Sequence, residues 1–267
     1  MKTLTQQTAC SIRTASGHKI AFWLVTLITL KFLSLTPANA QEQDTIAVER
    51  FIPDLKKIEN IVKNDTDRYN SLMDRFNSLT VTMEMLEDGP ISPFTFEESA
   101  IIYYGYAFTA QYNPYHSYDS LRVFIQQRDW EKAEQAALEA LKDNPVCIEL
   151  LEHLILAAEQ RQDEEEASRA FGQYIILLTT ISRSGEGKTP DSPLFVIRVS
   201  DEYSILRSIG ASQLKGQSLI DTPSGKCDKM VFMLPMGDTD GDGIENEKEY
   251  TLYFNVGLPL GWWSKQF

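Results

Sequence analysis

The 267 residues carry 25 lysines and arginines against 38 acidic side chains, a formal net charge of −13. So acidic a chain is a poor partner for nucleic acid or an anionic membrane surface, and its charge favours solubility. Its few cysteines include no metal-type Cys-x-x-Cys.

The first forty residues predict an export signal. Lys2, Arg13 and Lys19 are the only charges before Ile20, and a short apolar run to Leu35 follows, broken once by Lys31. Thr36-Pro37-Ala38-Asn39-Ala40 then supplies the helix breaker and small-x-small pattern of a cleavage site. The apolar run is too short for a bilayer span, which needs about 20 residues. Cleavage after Ala40 removes four cations and no acid, taking the net charge from −13 to −17. The mature chain, beginning at Gln41, is expected in the periplasm, at the cell surface or outside the cell, with no stable membrane span.

Beyond a polar tail (41–50), Leu55, Ile58, Ile61 and Val62, then Leu72, Phe76, Leu79 and Met83, recur at helical spacing through Glu87. Gly89-Pro90 and Ser92-Pro93 break the pattern. Thr95-Phe96-Glu97-Glu98 reads as a capping box that opens a helix running to Phe108. Asn113-Pro114 ends that segment.

A 34-residue internal repeat follows. Ala133, Ala136, Ala137, Ala140 and Leu141 are matched by Ala167, Ala170, Phe171, Tyr174 and Ile175, and Gln127-Arg128-Asp129 by Arg161-Gln162-Asp163. This period, and the spacing of Trp130, Ala133, Ala140 and Pro145, resemble tetratricopeptide helix pairs. The predicted pairs are 117–127 with 130–143, and 146–160 with 164–182. An all-α bundle with two similar helices is the alternative. No glycine stands at the tight-packing position, which Arg128 and Gln162 occupy.

Ser182–Pro193 has a linker composition, and the period then changes. Leu194–Val199 and Leu214–Ile220 read as β-rich, Met230–Leu234 as a buried strand and Tyr250–Val256 as a half-buried one. Ser200 is placed to cap a short helix through Ile209, stopped by Gly210. The expected fold is α+β, with a tetratricopeptide-like helix-pair stack (41–183) followed by a small α+β domain (184–267). The closing Trp262-Trp263 is expected to lie over the sheet or against the helices.

The runs Tyr103-Tyr104-Gly105-Tyr106, Tyr112-Asn113-Pro114-Tyr115, Gly185-Glu186-Gly187-Lys188-Thr189-Pro190, Val199-Ser200-Asp201-Glu202-Tyr203 and Tyr250-Thr251-Leu252-Tyr253-Phe254-Asn255-Val256 resemble a domain-of-unknown-function family of exported bacteroidete proteins. The resemblance covers most of the mature chain. It implies a periplasmic or surface location and a helical half before a β-containing half, and it implies no activity.

One stretch carries the chemistry of a metal site. Asp238-Thr239-Asp240-Gly241-Asp242-Gly243-Ile244-Glu245-Asn246-Glu247-Lys248-Glu249 fits a twelve-residue calcium loop. Asp238, Asp240, Asp242, the Ile244 carbonyl, Asn246 and Glu249 would be the ligands. The flanks read as strands rather than helices, so an acidic hairpin tip using Asp-Gly turn chemistry stands beside the calcium reading.

The other chemical candidates are bland. Ser184–Thr189 lacks the first glycine, preceding strand and following helix of a phosphate loop. Cys147 lies at helical spacing with Leu150, Leu151 and Leu154, and both Cys147 and Cys227 read as free thiols. His153 reads as a helix residue, and His116 belongs to an aromatic cluster with Tyr112, Tyr115 and Tyr118 that packing explains. With no catalytic constellation, the expected role is a scaffold for a protein or peptide partner. The competing reading is an extracytoplasmic hydrolase acting through paired carboxylates on a glycan or peptide.

Overall fold

The computed structural model describes residues 50–79, 92–223, 225–237 and 246–263. The predicted leader, the polar tail before Arg50 and the predicted helix beyond Leu79 lie outside them. The architecture is α+β, with a four-stranded sheet following a helical half.

Helices α1 (Leu55–Asn64) and α2 (Thr66–Asn77) form a corner over α3 (Phe96–Gly105). The Thr95 capping box is complete: its hydroxyl accepts from the Glu98 N–H at 3.2 Å, and Glu98 returns a carboxylate to the Thr95 N–H at 2.8 Å. Buried on every side, α3 meets α1 and α2 on one flank and α7 on another, which is why Ala100 to Tyr104 are apolar or aromatic without interruption. Gly105 closes the helix where a Cβ would come within 2.8 Å of the Tyr69 ring. A 3-10 turn (Tyr106–Phe108) then carries the segment to its predicted end.

Two helix pairs follow: α4 (Asp119–Gln127) with α5 (Trp130–Asp143), and α6 (Ile148–Arg161) with α7 (Glu164–Arg183). Successive helices pack on one another through α4, α5, α6 and α7. Ala133 and Ala137 are completely buried, and their small side chains let α5 lie close against its neighbours. The apolar stripe of α7 is wider than that of α5, since Gly172 to Leu178 are all buried. The reason is position: α7 packs on α6 and also on α3.

Sheet order is β1-β4-β3-β2, with β1 Leu194–Phe195, β2 Gln213–Thr222, β3 Gly225–Gly237 and β4 Asn246–Asn255. The last three form an antiparallel meander, and β1 joins parallel to β4 through Leu194 opposite Phe254. Alternation places Met230, Phe232, Leu234, Leu252 and Phe254 on the covered face. The expected β-run Leu194–Val199 is shorter than its residues suggest. Only two residues pair, and Val199 already opens helix α8 (Val199–Ser208), with Arg198 rather than Ser200 at the cap position. Gly210, at φ +77°, ends α8 as anticipated.

A short helix α9 (Gly257–Trp263) ends the described chain. The Trp262 indole N–H donates to the Tyr112 carbonyl at 2.9 Å, and Tyr115 donates to the Pro259 carbonyl at 3.0 Å. One continuous apolar core runs from Ile58 to Val256, so the helical half and the sheet share their interior. Cys147 and Cys227 are both buried and not joined in a disulfide. Among the described residues no helix is long and apolar enough to cross a membrane.

Candidate functional site

The chemistry of the fold concentrates at its seam, where α8 lies between helical half and sheet. Consecutive helical residues diverge by about 100°, so Asp201 and Glu202 in the first turn of α8 meet different surroundings. Both are completely buried.

Asp201 is held from the helical half. The Tyr103 hydroxyl of α3 donates to its Oδ2 at 2.7 Å and accepts from the Ile197 N–H at 3.2 Å. Tyr112 donates to the Ile197 carbonyl, and Tyr104 to that of Phe195 at 3.1 Å. Three tyrosines thus grip the segment entering α8. Arg198 grips in return, donating to the carbonyls of Asn113 at 3.1 Å and His116 at 2.9 Å. Burial pushes the Asp201 carboxyl up to about 7, against the lowering influence of the Arg198 charge and the Tyr103 hydrogen bond.

Glu202 is held from the sheet. Asp228 on β3 shares the face of Met230 and Phe232 and hydrogen-bonds the Glu202 carboxyl. The Gln217 amide of β2 donates to both acids, at 2.8 Å to Asp228 Oδ2 and 3.3 Å to Glu202 Oε2. Tyr203 in turn donates to Gln217 Oε1. Burial pushes the Glu202 carboxyl up to about 9, and the negative charges of Asp228 and Asp201 add to the shift. At neutral pH Glu202 is therefore a neutral acid able to donate to Asp228. One oxygen each of Asp201 and Glu202 has no hydrogen-bond partner.

A second feature lies on the helical half. Asn77 of α2, Gln135, Leu138, Glu139, Leu141 and Lys142 of α5, Pro145, and Arg169 and Gln173 of α7 line an open groove of about 620 Å³. Its polar walls are braced: Gln173 donates to the Phe76 carbonyl at 2.8 Å, and Arg169 is bound to Glu166 and Gln173.

Of the predicted calcium ligands, Asp238, Asp240, Asp242 and Ile244 lie outside the described residues. Asn246 and Glu249 both stand in β4, opposite Gly237 and Met233. An odd separation along a regular strand sends their side chains to opposite faces. Asn246 takes the face of Leu252 and Phe254, while Glu249 is exposed on the other. No group of three or more His, Cys, Asp or Glu side chains is placed to hold a metal among the described residues. The aromatic cluster around His116 is packing: Tyr112 and Tyr118 are buried, and the His116 and Tyr118 rings lie 4.8 Å apart. His153 sits partly covered in α6, where burial pushes its imidazole down while Glu149 and Glu152 pull it up.

Sequence reasoning assigned no role to Asp201, Glu202, Asp228 or Arg198. Only Asp201 and Glu202 stand in a run that the sequence marks out, Val199-Ser200-Asp201-Glu202-Tyr203, and that run carries a family resemblance alone.

No curated protein and no solved structure matches the chain. Residues 56–261 match the profile of a domain of unknown function (DUF4919), a span that takes in α1 of all but its first residue, the helix pairs, the seam and the whole sheet. The chain belongs to that domain-of-unknown-function family.

Proposed function

We propose that this is an exported binding protein that acts without catalysis and offers the groove between α5 and α7 to a peptide or protein partner. One observation carries the reading. The groove is open and mixes apolar side chains (Leu138, Leu141, Pro145) with amide and charged ones (Gln135, Lys142, Arg169, Gln173), of which Arg169 and Gln173 are held by hydrogen bonds, a composition that suits an extended chain. The tetratricopeptide-like spacing supports it, since stacked helix pairs commonly present such surfaces. Export rests on the leader ending at Ala40.

Photo-crosslinking tests the proposal. A photoreactive residue at Leu138 should capture a protein from the native envelope, while one at Thr251 on the sheet should not. Leu138→Asp should abolish that binding with the fold intact. Equal capture from both positions, or binding unaffected by Leu138→Asp, would remove the groove from the account.

A hydrolase is the second reading, favoured by the Glu202–Asp228 carboxyl pair. With Glu202 completely buried and Asp228 only 7% exposed, a polymer would reach the pair only if α8 moved away. Turnover of a glycan or peptide that disappears in Glu202→Gln, with folding preserved, would establish this reading instead.

A further inference from the structure

We propose that Glu202 and Asp228 form a one-proton lock that fastens helix α8 to the sheet, and that releasing the proton loosens this contact. The proposal begins from geometry. Two carboxyl groups, one from α8 and one from β3, meet under a single amide donor, that of Gln217. The amide supplies hydrogens to one oxygen of each acid. The hydrogen bond between the acids needs a proton of its own, and Glu202 carries it.

The groups facing Glu202 are Asp228 from β3, Gln217 from β2, and Asp201 and Tyr203 from α8 itself. Among the described residues no cation pairs with it. Arg198, the nearest guanidinium on this stretch, faces Asp201 and the carbonyls of Asn113 and His116. From α6, Glu152 adds negative charge toward Asp201, while Arg207 of α8 is paired with Glu152 at 2.6 Å. Cys147, Tyr103, Tyr104 and Tyr112 are the further titratable groups that face Asp201 from the helical side. A second negative charge at Glu202 would therefore stand beside Asp228 with no counter-ion and no access to solvent.

When base takes the proton, the O–H bond of Glu202 breaks and its electron pair stays on the carboxylate. The proton goes to water, and the hydrogen bond to Asp228 becomes a repulsion. Relief comes by moving α8 away from β3, which lets water reach both oxygens. This is feasible because Gln217, the donor to both acids, is exposed on the edge strand β2. The direction agrees with linkage. The folded-state affinity of Glu202 for its proton is raised, so its contribution is full below the ordinary glutamate range. It fades as pH climbs and is lost by about 9.

Two measurements on the full mature chain test the lock. Infrared spectra at pH 8, above the Asp201 value of about 7 and below the Glu202 value of about 9, should contain the carbonyl band of a buried protonated carboxylic acid that is strongly diminished in Glu202→Gln. Hydrogen exchange, corrected for intrinsic rates, should show protection of the α8 amides falling at least about ten-fold between pH 6 and pH 9, the effect of one unit of pKa shift. Glu202→Gln keeps the shape and hydrogen-bonding pattern of the neutral acid, and should make that dependence shallower, leaving the part due to Asp201. Asp228→Asn removes the repelling charge and should make it shallower too, by less because burial still raises Glu202, so the test survives if either variant folds poorly. An absent infrared band, or wild-type protection equal at both pH values, would overturn the lock. So would an undiminished pH dependence in a folded variant.

Discussion

Arg128 and Gln162 adopt the same left-handed backbone conformation, φ +58° and +61°, at equivalent points of the two helix pairs. In each case the following aspartate N–H reaches back to a helix carbonyl, Asp129 to Phe124 at 3.0 Å and Asp163 to Ala158 at 2.9 Å. Each aspartate then caps the next helix, accepting from the N–H of Lys132 or Glu166. One residue thus ends a helix and its neighbour starts the next, twice over.

Glycine is the residue such a conformation prefers, so Arg128→Gly and Gln162→Gly should each stabilise the protein. The left-handed penalty for a side chain is about 1–2 kcal/mol, and the extra freedom of unfolded glycine offsets about 0.4–1 kcal/mol of it. A net gain of about 0.5–1 kcal/mol per substitution is expected in urea unfolding. A loss at either position would mean that its side chain makes a stabilising contact.

Removing the Tyr103 hydroxyl should cost more than removing that of Tyr112. Tyr103→Phe strips a donor from Asp201 and an acceptor from the Ile197 N–H, both buried. Leaving such groups unpaired costs about 1–3 kcal/mol each. Tyr112→Phe affects one carbonyl alone and should cost about 1 kcal/mol. Denaturant midpoints of the two variants compare them directly, and equal losses would contradict the seam geometry.

Stability should fall as the solution turns alkaline. Asp201 and Glu202 are both raised in the folded state, to about 7 and about 9. Each contribution is complete below the ordinary carboxylate range and drains away as pH rises through the folded value. The melting temperature should be higher at pH 5 than at pH 9, with Glu202→Gln showing a shallower slope than wild type. A melting temperature that rose over this range would place other groups in control.

The calcium reading of residues 238–249 carries a specific test. Because Asn246 and Glu249 leave β4 on opposite faces, one ion closing the loop would use one of them. Titration calorimetry on the mature chain should give heat with calcium, with Asn246→Ala or Glu249→Gln, but not both, weakening it. No heat and an unchanged melting curve in millimolar calcium would leave the acidic stretch as a turn.

What the sequence disclosed was local. Thr95 and Glu98 stand three apart, as a capping box requires, and both hydrogen bonds form. The alternation from Tyr250 to Phe254 gave the paired strand. The 34-residue offset pairs Arg128 with Gln162, the positions that lack glycine, and the structure gives these two the same backbone geometry, which the sequence did not disclose. The seam was hidden for a physical reason. Whether Asp201 faces water or Tyr103 depends on residues 98 apart in the chain, and no helical period records that separation. Leu194–Val199 failed similarly. Its apolar residues are buried at the seam, so burial rather than strand pairing explains them.

The parallel pairing of β1 with β4 sets an order on folding. A chain synthesised from its N-terminus presents Leu194 and Phe195 long before their partners Phe254 and Asn255 exist. Tyr112 waits longer still, since its carbonyl meets Trp262 across 150 residues. The helix pairs are built from near neighbours and can form early, whereas the sheet and seam must wait for the end of the chain. Until then the tyrosines of α3 and the part of α6 that α8 covers stay exposed, the kind of surface that chaperones and proteases recognise.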